Sequence, residues 1–323
     1  MNPIIQRLLK EDLQRVEAEF KRNLDSDVTL VSKIGQHLLG SGGKRFRPMI
    51  LILSAKLCGY EGDRHIPLAS IIEFIHTASL LHDDVVDEAE LRRGNASANS
   101  LWGSEASVLV GDFLFSKSFS LMVRDGDIRI LQVISEASTR LAEGEIQELT
   151  KTSDLSLAEE GYISIITRKT AALISAACRI GAILGGVSPE KETSMGDFGL
   201  NLGIAFQLMD DTLDYISDEK EFGKTIGIDL KDGKVTLPLI HTLRKCSFQE
   251  RSRLEEVFFS ESITHEQFAL VTEMIGRYGG ADYTVERAKG FVEQAKGCLA
   301  SFDPSDTKTA ILALADYVIE RRS

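Results

Sequence analysis

The sequence predicts an all-α protein, a large helical bundle around a central cavity. Three observations lead there. Apolar residues recur at helical spacing over most of the length. No alternating apolar and polar run bounded by turn signals is visible. Six prolines and no low-complexity linker leave nothing to mark a boundary, so residues 1–323 read as a single domain.

The elements follow in order. Residues 2–22 and 27–39 have the pattern of amphipathic helices. Gly40-Ser-Gly-Gly-Lys-Arg-Phe-Arg-Pro48 breaks that pattern. Residues 49–59 form a short apolar helix, 59–67 a loop, and a long helix then runs into an aspartate-rich end. Residues 94–103 are polar and irregular. Residues 105–123 and 128–151 read as helices. Residues 156–186 and 189–217 read as two long helical stretches, with glycines as candidate kink points. Residues 218–234 read as loop, and from Thr236 onward helices alternate with polar connections.

Composition narrows the function. The net charge of −12 (37 basic against 49 acidic residues) makes the chain a poor nucleic-acid binder in bulk, though it permits a local basic pocket. The cysteines at 58, 178, 246 and 298 form no Cys-x-x-Cys pair, which suits buried thiols in a reducing cytoplasm. The first residues lack the apolar core of a signal peptide. The longest oily stretch, residues 171–187, is interrupted by Arg179. It is short for a membrane span and reads as a helix packed closely by its neighbours.

The chemistry concentrates in Phe74 to Arg93. Asp83 and Asp87 are four apart and share a helix face. Asp84 sits at its edge, and His76 lies seven residues earlier on the same side. Like charges on one face call for a cation, and Mg²⁺ prefers carboxylate oxygens shared with substrate phosphates. Arg92 and Arg93 add forked donors that suit phosphate. A single such run would be a solvated helix face. A second copy, Asp210-Asp-x-x-Asp214, again follows an apolar helical run, so the two are expected to form two walls of one metal site. Gln207, three before Asp210 and seven before Asp214, shares their face. The Arg-Lys-Thr-Ala context of Lys169 suggests a helix distortion.

Two nucleotide-loop lookalikes fail. Gly223-Lys224-Thr225 has aspartate at 218 where glycine is required, and Gly43-Lys44 is followed by arginine with leucine at 38. Residues 223–234 read instead as a mobile lid that folds lysines over a ligand.

Gly-Gly-Lys-Arg-Phe-Arg-Pro, Leu-Leu-His-Asp-Asp-Val-Val-Asp, Leu-Arg-Arg-Gly, Val-Gly-Asp-Phe-Leu and Phe-Gln-Leu-Met-Asp-Asp-Thr-Leu-Asp occur here in order. In this the chain resembles the trans-type (E) polyprenyl diphosphate synthase family over nearly its whole length, and most of all its octaprenyl-forming bacterial members. The resemblance implies an isoprenoid-synthase fold and a Mg²⁺-dependent condensation of isopentenyl diphosphate with an allylic diphosphate such as farnesyl diphosphate. The expected product is an octaprenyl diphosphate for a quinone side chain.

By resemblance, Asp83, Asp87 and Asp210 hold several Mg²⁺ ions, while Asp84, Asp211 and Asp214 orient ligands or metal-bound water. Lys44, Arg47, His76 and Arg93 match the isopentenyl diphosphate pocket. Arg92, Lys169, Lys224 and Lys234 match the allylic diphosphate site, with Thr170 and Gln207 beside the reacting centre. Small Ala78 and Ser79 leave a hydrocarbon tunnel open, and Met122 with Ile134 is expected to close its far end. Phe115, Phe119 and Met122 have the spacing of one helix face. Family analogy implies a homodimer, a transient membrane contact for the oily product, and basic C-terminal residues Arg321-Arg322 that cover the site. The nearest alternative is the same reaction stopping at another length, from geranylgeranyl to decaprenyl, and two further competitors share parts of this pattern. A terpene cyclase normally lacks the second motif and does not need Lys44 and Arg47. A non-catalytic partner subunit would be expected to lose aspartates or cations, and none is missing here.

Overall fold

Helices account for most of the described chain. The computed structural model describes residues 3–40, 42, 45–92, 94–216, 227–260 and 263–321. Lys44, Arg93 and Lys224, and residues 223–226 of the segment read as a lid, lie outside them. Contacts group the chain into two compact units, residues 1–138, 173–199 and 299–314, and residues 139–172, 200–298 and 315–323.

The first unit is built on α4 (His65–Val86), 22 residues and so about 33 Å long. It is buried on nearly every side through its first half, where Leu68, Ile71, Ile72 and Phe74 are fully buried. A helix oily all round is a core helix. It packs against α1 (Pro3–Asn23), α3 (Phe46–Leu57) and α6 (Ser104–Asp125). The Phe74 ring stacks on Phe20 of α1 at 4.2 Å.

The oily stretch after Ala171 is α9 (Ala172–Gly185), and its small residues serve the close approach expected of them. A Cβ on Gly181 would lie 2.5 Å from the Ser54 Cβ and 2.6 Å from the Ala55 nitrogen of α3. Among the described residues, α6 is the helix long and apolar enough to cross a membrane, by length and composition. Leu109 and Val123 of α6 are exposed.

Three expectations need correction. The irregular segment after the first motif contains a two-strand hairpin, Leu91–Arg92 against Asn95–Ala96, followed by α5 (Ala98–Trp102). Strands of two residues are too short to generate an alternation signal. The stretch read as loop includes a helical turn, Ile228–Lys231. Phe115, Phe119 and Met122 do not share a buried face. Met122 is buried, whereas Phe119 is 49% exposed and Phe115 lies beside the His82 ring.

The second unit holds the C-terminal part of α7 (Ile128–Lys151), α8 (Glu159–Ile166), α12 (Leu237–Lys245), α14 (His265–Tyr278) and α15 (Gly280–Cys298). Here α12 packs on α8, α14 and α15. The start of α14 is set by a capping box, in which Thr264 accepts the Gln267 N–H and the Gln267 side chain returns to Thr264. Such reciprocal capping satisfies donors a helix otherwise leaves orphaned.

None of the four cysteines is in a disulfide, and burial pushes the thiols of Cys58 and Cys178 up to about 12. Thiolate, not thiol, reacts with alkylating agents. Iodoacetamide at pH 8 is therefore expected to leave Cys58 and Cys178 unmodified in the native protein and to label both in denaturant. Mass spectrometry of the digested protein checks this, and native labelling of either would contradict the packing described.

Candidate active site

In the first unit the end of α4 separates its three aspartates. Asp83 and Asp87 are half-exposed. Asp84 is buried, and its Oδ1 accepts from Arg92 Nε at 2.7 Å with the Arg92 Nη2 at 2.6 Å. That pair ties the helix end to the hairpin, because Arg92 lies on its first strand. The backbone closes the same corner: Asp84 O accepts from Ala89 N at 2.9 Å and from Asn99 Nδ2 at 3.0 Å. Only Asp83 and Asp87 of this motif stand toward solvent.

A pocket beside them is lined by His76, Thr77, Asp84, Arg92, Arg45 and His37, among others. His76 and Arg92, matched by resemblance to different diphosphates, thus line one pocket. Arg47 on α3 is half-buried and is not among the described residues that line it. Arg45, which sequence reasoning passed over, is. It sits at the left-handed φ of 50° just before α3, and its Nη1 donates to Glu73 Oε1 at 2.7 Å.

In the second unit the distortion expected around Lys169 is a π turn, Thr167–Ala171, between α8 and α9. A π turn inserts one extra residue into a helix and re-aims its side chains, often at functional sites. Here it turns Lys169 and Thr170 toward one pocket with Gln207, Asp211, Asp229 and Lys234. The Lys169 Nζ rests 2.6 Å from carboxylate oxygens of both Glu145 and Glu148 on α7. The Thr170 hydroxyl donates to Gln207 Oε1 at 2.7 Å, and Gln207 Nε2 donates to Asp211 Oδ1 at 2.6 Å. The Tyr162 hydroxyl donates to the other Asp211 oxygen.

These contacts give the second motif, on α10 (Pro189–Ile216), three separate fates. Asp211 is buried with both oxygens occupied. Burial pushes its carboxyl up to about 7 against the lowering effect of Tyr162 and Gln207. Asp229, desolvated and facing Asp211 and Asp214, is pushed well above the usual carboxylate range. Asp214 is raised by burial, and its Oδ2 accepts the Asp229 N–H at 3.0 Å. Asp210 stays 43% exposed and pairs with Arg321 Nη1 at 2.8 Å. Arg321 is almost fully buried, donates to Phe206 O, and lies with its guanidinium 3.9 Å from the Phe206 ring centroid. The basic C-terminal pair expected to cover the site thus reaches Asp210 through Arg321.

Among the described residues no cluster of three or more His, Cys, Asp or Glu forms a closed metal cage. Mg²⁺ does not need one, since one or two carboxylates plus phosphate oxygens and water suffice. Asp83, Asp87 and Asp210 are half-exposed, and their hard oxygen donors fit that ion. Glu145, Glu148, Tyr162 and Arg45 had no distinguishing sequence signal. Each sits in a pattern that an ordinary helix surface or core also produces.

The polyprenyl synthetase family model matches residues 28–275. The octaprenyl diphosphate synthase of Escherichia coli (strain K12) is 40% identical over 317 residues, covering 98% of each chain. A short chain isoprenyl diphosphate synthase of Methanothermobacter thermautotrophicus is 37% identical over 302 residues, covering 92% of each. Among solved structures, the polyprenyl synthase of Caulobacter crescentus CB15 complexed with calcium and isoprenyl diphosphate matches with TM-score 0.95 at 40% identity. That match covers 99% of this chain and 98% of the other. These likenesses span the segments that carry both aspartate motifs and the π turn, and the chain belongs to the polyprenyl synthetase family.

Proposed function

We propose that this prenyltransferase condenses isopentenyl diphosphate with an allylic diphosphate, farnesyl diphosphate being the expected primer, to an all-trans polyprenyl diphosphate of octaprenyl length for a quinone side chain. The observation that carries the reading is the π turn Thr167–Ala171, which brings Lys169 and Thr170 into one pocket with Gln207, Asp211 and Lys234.

In the reaction the allylic C–O bond breaks and its electron pair leaves with the diphosphate. The isopentenyl double bond attacks the allylic carbon, and a proton is lost. Negative charge therefore grows on the departing diphosphate, and fixed cations aimed at it lower the barrier. Lys169 and Lys234 supply such charge in the second unit. The Thr170 and Gln207 pair offers fixed dipoles beside them. His76, Arg45 and Arg92 give the first unit a site for the second diphosphate. Asp83, Asp87 and Asp210 would hold Mg²⁺, which when bound adds Lewis-acid charge on diphosphate oxygens. The calcium and isoprenyl diphosphate of the Caulobacter crescentus structure support this ligand chemistry.

On this reading residues 1–323 act as one synthase domain, in the cytoplasm and as a homodimer. The exposed apolar residues of α6 support both a partner copy and a passing membrane contact. Product length is set where α4 packs on α6. Ala78 and Ser79 are small and buried, and Met122 and Ile134 are buried in the same unit.

The test incubates the protein with Mg²⁺, farnesyl diphosphate and labelled isopentenyl diphosphate, with an EDTA control, and reads chain length by mass spectrometry. The expected result is a Mg²⁺-dependent ladder ending near eight isoprene units, shifted to longer products in Met122→Ala. A ladder ending elsewhere keeps the reaction and overturns the length. An unchanged ladder in Met122→Ala removes that residue from the tunnel floor. No elongation from any allylic primer by folded protein would instead indicate a partner subunit.

A further inference from the structure

The three aspartates of the second motif look equivalent in sequence, yet Asp214 is bound by the chain's own backbone. Its Oδ2 accepts the Asp229 N–H at 3.0 Å. The Asp214 carbonyl accepts a further bond from Gly227 N at 3.3 Å.

A second set of contacts fixes the same place from the other side. Gly227 has φ 77°, a conformation that favours glycine. A Cβ there would lie 2.3 Å from the Phe268 ring of α14. Residue 227 is therefore held between Asp214 and Phe268. The Ile228–Lys231 turn starts from that point, and Asp229 O accepts Lys234 N at 2.7 Å. Lys234 then enters the pocket that also contains Lys169, Thr170 and Gln207.

We propose that Asp214 is a positioning residue rather than a metal ligand: through its carboxylate on the Asp229 N–H and its carbonyl on the Gly227 N–H it fixes the Ile228–Lys231 turn and so sets Lys234 against the allylic diphosphate. This rests on the function proposed above and assigns one aspartate of the motif a separate task. A carboxylate oxygen that holds a backbone N–H is oriented by it, and Mg²⁺ tolerates little departure from octahedral geometry.

Asparagine separates the two roles. As an acceptor for backbone N–H groups it serves about as well as aspartate, whereas alanine does not. As a Mg²⁺ ligand it lacks the charge. Asp214→Asn, Asp214→Ala and Asp210→Asn would be compared by three readouts. These are Mn²⁺ binding by electron paramagnetic resonance with inorganic pyrophosphate present, steady-state KM for each substrate, and amide hydrogen exchange over residues 227–234.

The expected result is that both Asp214 variants bind Mn²⁺ as the parent does, while Asp210→Asn binds it more weakly. Asp214→Ala should raise the KM for farnesyl diphosphate more than that for isopentenyl diphosphate. It should also speed exchange at 227–229 by roughly fivefold, from loss of a cap, and Asp214→Asn should recover most of both changes. Equal loss of Mn²⁺ affinity in the two Asp214 variants, or exchange at 227–229 unchanged in Asp214→Ala, would overturn the proposal. If the parent protein elongates no primer, the functional reading fails, and the exchange and Mn²⁺ readouts still decide what Asp214 does.

Discussion

Asp84→Ala is expected to lower stability by about 2 kcal/mol, and Asp83→Ala by less than about 0.5 kcal/mol, although the two residues are neighbours. Asp84 has 2% side-chain exposure and carries Arg92 at 2.6 Å. Removing one member of a buried pair typically costs about 3–5 kcal/mol, because the other charge stays where water cannot reach it. Arg92 keeps 28% of its side chain exposed, so solvent recovers part of that and the figure falls toward 2. Asp83 is half-exposed, and substitutions at such positions usually change stability little. Activity should divide the other way. Asp83→Ala removes a proposed cation ligand at the charge-bearing step, where one lost interaction costs roughly 10²–10³ in kcat. Urea denaturation and steady-state kinetics on Asp83→Ala, Asp84→Ala and Asp84→Asn make the comparison. Asp84→Asn keeps an acceptor for Arg92 and should fall between the others in stability. An Asp84→Ala protein as stable as the parent would remove the Arg92 pair as the anchor of the hairpin.

That contrast also shows what was legible beforehand. The residue types and the i, i+4 spacing of Asp83 and Asp87 marked a cation site, because spacing on a helix is a property of the local sequence. Which aspartates are buried is not. Asp84 and Asp211 are withdrawn by Arg92, and by Tyr162 and Gln207, partners that come from other elements or another turn. Helix positions were readable for the same local reason, and the segment 128–151 begins and ends as α7 does. The hairpin at Leu91–Ala96 and the turn at Ile228–Lys231 were not, since each is too short to show a period. The distortion at Lys169 was legible only as an anomaly of composition. Its backbone packs closely on Gly144, more than twenty residues away in α7, and nothing around Gly144 distinguishes it from other helix glycines. Arg321 at Asp210 was foreseen only as a basic end covering the site.

Gly144→Ala should reduce kcat by about a hundredfold in a protein that still folds. A Cβ at 144 would lie 2.5 Å from the Lys169 nitrogen, 2.9 Å from its Cα and 3.0 Å from the Arg168 carbonyl carbon. All three are backbone atoms, so no side chain can swing aside and the π turn itself must move. Lys169 and Thr170 leave with it, and with them the Thr170 to Gln207 hydrogen bond at 2.7 Å. A misplacement of about 1 Å at reacting groups can cost on the order of 10² in rate, while the overpacking itself costs about 1–3 kcal/mol of stability. Gly161→Ala is the matched control. Its Cβ would meet only the end of the Leu157 side chain, at 2.8 Å, which can rotate away. Alanine is also the better helix former by roughly 0.5–1 kcal/mol. Kinetics and thermal unfolding of the two variants give a direct comparison. A low kcat confined to Gly144→Ala would tie the rate to the placement of the π turn. A parental kcat in Gly144→Ala would mean that Lys169 reaches its substrate from more than one backbone geometry, and the turn would then be an adjustment of packing between α7 and the strand of helix that follows α8.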